Sequence, residues 1–146
     1  MFFLANRAES VIFPAVDQDE RKRIIVVDDN AHLCSFIHSY LDPRYRVTSY
    51  QDGEGCLRAV AEGALNDASL FIIDYQMANM TGIELFLALR PYLPNAKFIF
   101  MTGYLTQEMA EEGFNLGFDA LIRKPFDFNV LDANVEKLLR AEMAAA

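Results

Sequence analysis

Basic residues are scarce: 13 Lys and Arg stand against 21 Asp and Glu, for a formal net charge of −8. Phosphate backbones are bound by an excess of Lys and Arg, so no direct nucleic-acid surface is expected. No apolar run approaches the roughly 20 residues of a membrane-spanning helix, so no membrane contact is expected either. The N-terminus, MFFLANRAES, lacks the basic segment and apolar core that mark a signal peptide. Cysteine is nearly absent. The two that occur, Cys34 and Cys56, fall inside predicted helices and at no metal or redox spacing. They read as small hydrophobes in a reducing compartment, with the cytoplasm as the default. Internal repeats are absent, and so are low-complexity segments beyond the terminal AEMAAA.

What is present fits one soluble domain. The chain has 146 residues, 53% apolar and 23% charged, which is long enough for a proper core. Residues 1–22 stand apart as an arm or linker. VDQDERKR is charged and without an apolar period, whereas FFL and VIF before it carry apolar weight. A short helix docking on something, such as a second copy of the chain, and a floppy extension are equal readings of this arm.

From Arg23 onward two periods alternate. RIIVVD is an unbroken β-branched run, as expected of a strand buried on both faces. Leu33, Phe36, Ile37, Tyr40 and Leu41 then follow a helical stripe, with Asp29 or Asn30 as cap and Pro43 as terminator. YRVTSY is a second strand, and Leu57, Val60, Ala61, Ala64 and Leu65 mark a second helix after Gly53. LFII is a third strand, followed by a helix on Ile83, Phe86, Leu87 and Arg90 that Pro91 and Pro94 stop. KFIFMT is a fourth strand, followed by a helix marked by Leu105, Met109 and Leu116. ALI is a short fifth strand, and Leu131, Val135 and Leu138 or Leu139 mark the last helix. Five strands alternating with five helices imply βαβ crossovers and a parallel sheet covered on both faces, a three-layer α/β/α fold.

The strand ends carry the chemistry. The first strand ends on Asp28 beside Asp29, the third on Asp74, the fourth on Thr102, and the fifth runs into Lys124-Pro125. Ligands of open α/β sheets bind outside the carboxyl ends of the strands, near a switch in strand order. With the first, third, fourth and fifth strands adjacent in that order, three carboxylates, a hydroxyl and an ammonium converge on one crevice. Like charges so close must hold a proton or a cation. An all-oxygen, incomplete shell suits Mg²⁺, and a carboxylate can be a nucleophile towards phosphorus. Lys124 and Thr102 would then stabilise the charge on the transferring group.

VVDDN, FIIDYQMANMTG, FMTGY and RKPF, in that order, resemble the receiver domain of two-component response regulators, of the single-domain, chemotaxis-regulator-like kind, over residues 23–146. The resemblance implies a flavodoxin-like sheet of order 2-1-3-4-5 and a phosphorelay role in signal transduction. Asp74 matches the phosphoacceptor. Asp28 and Asp29, with Asp74 and the backbone carbonyl of Gln76, match the Mg²⁺ site, Asp29 directly and Asp28 through water. Thr102 and Lys124 match the residues that meet the phosphoryl group, and a cis bond before Pro125 is implied. Gln76 and Tyr104 match positions that tune hydrolysis of the phosphoryl group. The implied partners are a histidine kinase or phosphotransfer protein, and a downstream effector on the face of the fourth helix, fifth strand and fifth helix. A homodimer through the arm is compatible with its apolar residues. Two positions depart from the family: Ala78 replaces a common proline, and Leu121 stands where an aromatic usually swings inward.

Taken singly, each of these residues has a plainer role: a helix cap for Asp28, Asp29 or Thr102, a turn for Asp74, a surface charge for Lys124. Their joint placement favours a phosphoacceptor over a phosphorylation-independent interaction module, which Leu121 mildly favours. A Mg²⁺-dependent phosphatase with an aspartyl nucleophile ranks last, because Gln76 stands where a second acid/base carboxylate is needed. His32 and His38 are assigned to helix surface or packing. Phe114, Phe118, Phe126 and Phe128 are assigned to core or interface. Too few residues follow the last helix for a further domain, so a stand-alone regulator and a piece of a longer protein both remain open.

Overall fold

The computed structural model of the protein describes residues 20–145. The readings placed on residues 1–19, a docking helix, a floppy arm or a dimer contact, lie outside the described residues. Five strands alternate with five helices: β1 Arg23–Val27, α1 Ala31–Leu41, β2 Arg46–Tyr50, α2 Gly53–Ala61, β3 Ala68–Asp74, α3 Gly82–Leu89, β4 Lys97–Thr102, α4 Gln107–Leu116, β5 Ala120–Arg123 and α5 Phe128–Ala145. All strands are parallel, in the order β2-β1-β3-β4-β5. The three-layer α/β/α arrangement is the one expected from the alternating periods, and the flavodoxin-like order is the one the receiver resemblance implies. The order reverses between β1 and β3, which opens a crevice at their carboxyl ends.

Each face of the sheet has its own core, because alternate residues of a strand point to opposite sides. Ile25, Val27, Phe71, Ile73, Phe98 and Phe100 face α2 and α3 together with Phe118. Ile24, Val26, Leu70, Ile72, Ile99 and Met101 face α1 and α5, where Leu131, Val135 and Leu139 meet them. The central strands β1 and β3 are buried on both sides, so their sequences are continuous apolar runs.

In α5 Leu131, Val135 and Leu139 are buried as expected, whereas in three other helices the buried stripe is shifted from its expected positions. In α1 the buried line is Cys34, Ile37 and Leu41, while Phe36 is 61% exposed. In α2 it is Gly53, Cys56 and Val60; Ala61 and Ala64 face solvent. In α3 Leu85, Phe86 and Leu89 are buried, and Leu87 is exposed. The segment ELFLAL is apolar almost all round, so its period does not identify the inward face. Both cysteines take core positions, as small hydrophobes do. Phe118 is core, Phe126 and Phe128 are half-buried against the core on the α1–α5 side of the sheet, and Phe114 is exposed.

The chain enters the sheet already tethered. The Arg21 guanidinium donates to the Pro43 carbonyl at 2.6 Å, and the Arg21 carbonyl accepts from Arg46 Nε at 3.0 Å. Arg23 and Arg46 both grip Asp67, at 3.0 and 2.9 Å, which ties β1 and β2 to the turn before β3.

Candidate functional site: an acidic crevice at the strand ends

Asp28 directly follows β1, and its N–H donates to the Tyr50 carbonyl, so the backbone fixes it before its side chain makes any contact. That side chain is fully buried, and both of its oxygens are engaged. Oδ1 accepts the Asn30 N–H at 2.8 Å, and Oδ2 accepts from Lys124 Nζ at 2.7 Å. Asn30, rather than Asp29, caps α1, its side chain accepting the Leu33 N–H at 3.1 Å. Asp29 between them is exposed at the crevice rim.

Asp74 is the last residue of β3 and is 6% exposed. Its Oδ1 accepts the Gln76 N–H at 3.4 Å and lies 3.4 Å from Lys124 Nζ. The loop after it closes with the Gly82 N–H donating to the Tyr75 carbonyl. A Cβ at Gly82 would stand 2.5 Å from the Asp74 carbonyl oxygen, so glycine is what lets α3 start so close to the acidic residue. A capping box between Thr81 and Glu84 fixes that start. Ala78 lies in this loop beside Asn79, which adopts a left-handed φ of 70°.

Thr102 ends β4 and is fully buried. Its hydroxyl donates to the Tyr104 carbonyl at 3.0 Å and accepts the Tyr104 N–H at 3.2 Å. The cap of α4 is Thr106, so the capping role considered for Thr102 falls to its neighbour. Lys124 follows β5, its N–H donating to the Thr102 carbonyl at 2.7 Å, and the Lys124–Pro125 bond is cis. Gln76 and Tyr104 are exposed on the rim, Tyr104 at 67%. Leu121 pairs in register with Phe100 and packs half-buried on the α2–α3 side of the sheet.

One carboxylate oxygen from each of Asp28, Asp29 and Asp74 lies within 4.8 Å of the others. Three carboxylates and one ammonium leave two negative charges in the crevice, which matches a divalent cation with oxygen ligands. Burial and then the neighbouring Asp28 push the Asp74 carboxyl above its ordinary value, against the pull of Lys124 and the Gln76 N–H. Burial works against the Lys124 charge, but its hydrogen bond to Asp28 and the charges of Asp28 and Asp74 prevail and raise it. Cys34, whose Sγ donates to the Asp28 carbonyl, is raised by burial and by Asp28, and Cys56 is pushed up to about 12 by burial. Neither thiol is an activated nucleophile.

Sequence reasoning missed two features of this site. The pairing of Lys124 with Asp28 joins residues far apart in the chain, and no local pattern announces it. The close approach of Gly82 to the Asp74 carbonyl is made by the turn of the folded loop, and no pattern along the chain announces it.

A family model described as the response regulator receiver domain matches residues 24–136. The transcriptional regulatory protein RprY of Bacteroides fragilis is 31% identical over 126 residues, covering 86% of this chain and 52% of that protein. ZraR of Escherichia coli, also a transcriptional regulatory protein, is 32% identical over 117 residues, covering 80% of this chain and 26% of its own length. The chain thus spans about half or less of these curated relatives. Among solved structures, a receiver domain protein from Clostridium thermocellum superposes with a TM-score of 0.77 at 20% identity, covering 86% of this chain and 99% of that one. The receiver domain of the Francisella response regulator 1452 superposes at 0.75 with 25% identity, covering 84% and 99%.

Proposed function

The chain belongs to the response regulator receiver domain family, and from that premise we propose that it is a phosphorylation switch in which Asp74 accepts a phosphoryl group. The observation that carries this reading is the Lys124 ammonium, 2.7 Å from Asp28 and 3.4 Å from Asp74. It ties the residue that would take the phosphoryl group to the one that would help hold a cation.

In the transfer, an Asp74 carboxylate oxygen attacks phosphorus, and the bond from phosphorus to the donor breaks with its electrons leaving on the donor. The donor is a phosphohistidine of a histidine kinase or phosphotransfer protein. Their placement supports the following roles for this chain's residues. Asp74 is fixed at a strand end and aimed into the crevice. Lys124, released from Asp74 as that carboxylate becomes an acyl phosphate, pairs with a phosphoryl oxygen while keeping Asp28. The Thr102 hydroxyl, now held by Tyr104, turns to donate to another. Asp29, Asp74 and the Gln76 backbone carbonyl would hold Mg²⁺ directly. Asp28, with both oxygens engaged, would act through water. Bound there, Mg²⁺ supplies charge neutralisation for the phosphoryl oxygens. Tyr104 and Gln76, exposed on the rim, are placed to limit the access of water to the acyl phosphate.

The output is a change in protein contacts on the face of α4, β5 and α5, with residues 23–146 as the receiver unit, residues 1–22 as an arm, and the cytoplasm as the setting. Catalysis is limited to the chain's own phosphorylation and dephosphorylation. An aspartyl-nucleophile phosphatase needs a carboxylate where Gln76 stands. No helix among the described residues is long and apolar enough to cross a membrane.

The test is intact mass after incubation with Mg²⁺ and acetyl phosphate. Gain of one phosphoryl group, lost with a chelator and in Asp74→Asn, supports the reading. No gain, together with no beryllofluoride complex, overturns it in favour of a phosphorylation-independent interaction module.

A further inference from the structure

The helix that would carry the output is held mainly towards its C-terminal end, where Leu116 packs on the core. Gly113 is its one buried residue, and most of its other side chains face solvent or lie at the edge of the core. At Gly113 the helix rests on a single ring: a Cβ there would collide with Cδ2 of Phe118. Phe118 follows the left-handed C-cap Gly117, and its N–H donates back to the Gly113 carbonyl at 2.9 Å. The end of α4 therefore folds over the Phe118 side chain.

That ring reaches the site through the core. It stacks on Phe100 with centroids 3.5 Å apart and planes 12° apart, and Phe86 packs edge-on against both. Phe100 and Thr102 are two residues apart on β4 and so point to the same face of the sheet. Leu121, opposite Phe100 on β5, is only half-buried and offers no ring to this stack. Thr102 also grips the loop into α4 through both polar atoms of the Tyr104 backbone. Turning its hydroxyl towards a phosphoryl group gives up that grip at the start of the helix and leaves its far end as the fixed point, where Gly113 sits on Phe118 and the Leu116 carbonyl accepts from Arg90 at 2.6 Å.

We propose that Phe118 is the positioning residue of the switch: its ring, wedged between Phe100 and Gly113, is the pivot that carries a change at Thr102 into α4, with the side chain at 121 as a bystander. This rests on phosphorylation of Asp74, so the test reads phosphorylation and helix position separately.

The protein has no tryptophan, so Phe114→Trp, at an exposed position of α4, provides a single fluorescent reporter in the full chain. Intact mass reports the phosphoryl group on the same samples. The reporter chain is expected to take a phosphoryl group and to shift its emission. With Phe118→Leu added, phosphorylation persists and the emission shift is lost; with Leu121→Ala added, both persist. Gly113→Ala approaches the same seat from the helix side. It is expected to displace the emission before phosphorylation and leave little further change, and it decides the matter should Phe118→Leu not fold. A full shift in Phe118→Leu, loss of the shift in Leu121→Ala, an unaltered response in Gly113→Ala, or phosphorylation with no shift in the reporter chain would each overturn the pivot. Absence of phosphorylation in the reporter chain would instead remove the premise, and the pivot with it.

Discussion

Lys124 Nζ donates to Asp28 Oδ2 at 2.7 Å, joining the end of the edge strand β5 to the end of β1 across 96 residues of sequence. Asp28 is fully buried, whereas the lysine side chain is 22% exposed. A buried carboxylate stripped of its partner keeps its desolvation cost, so Lys124→Met should lower stability by about 2 kcal/mol. The partial exposure of the lysine keeps the loss below that of a fully buried pair. Urea unfolding at neutral pH in the presence of a chelator measures it. Much of the loss should return on adding Mg²⁺.

In the absence of divalent cations, Asp74 should lose its charge earlier on acidification than an ordinary carboxylate. Burial and Asp28 raise its value, so a proton arrives at a higher pH than usual. Without divalent cations, the Asp74 carboxyl resonance followed by NMR should titrate through that raised value, well before the fold is lost. A profile that holds down to the ordinary aspartate range would contradict the raised value.

Stability responds to the same group with the opposite sign. Between the ordinary and the raised value, the native chain holds a proton that the unfolded chain has released. The favourable contribution of Asp74 is therefore present at low pH and lost as pH rises through the raised value. Asp74→Asn should then be more stable than the parent at neutral pH without divalent cations, by roughly 1 kcal/mol. The advantage should shrink in acid and when Mg²⁺ is added. Thermal melts at several pH values, with and without Mg²⁺, test this.

Gly82→Ala should damage the site and the fold together. Its Cβ would meet the Asp74 carbonyl oxygen at 2.5 Å and the Tyr75 Cα at 3.0 Å, both backbone atoms with little freedom to yield. A loss of about 2 kcal/mol, in the upper range for single substitutions, is expected. Labelling of Asp74 should slow as well, because the strand end that aims it is displaced.

The sequence revealed the order of elements and the strand ends well, because β1 and β3 are buried on both faces and their apolar runs stop where the sheet stops. Asp28, Asp74, Thr102 and Lys124 were legible as a group because each stands where a strand ends. Helix faces were less legible. In α3 the apolar residues surround the axis, and in α1 Cys34 fills the core position that Phe36 was expected to take. Small residues were the hardest to read. Gly113 and Gly82 matter through the side chain they lack, and the atoms that would collide with one come from elsewhere in the fold. The Phe100–Phe118 stack joins β4 to the segment before β5, and pattern reasoning along the chain does not pair them.

The central claim is that Asp74, and no neighbouring carboxylate, receives the phosphoryl group. Borohydride reduces an aspartyl phosphate to homoserine, so the chain can be labelled with acetyl phosphate and Mg²⁺, reduced, digested and mapped by mass spectrometry. Homoserine is expected at position 74, and none at 28 or 29. Homoserine at either of those positions, or none in a chain that has gained a phosphoryl group, would contradict it.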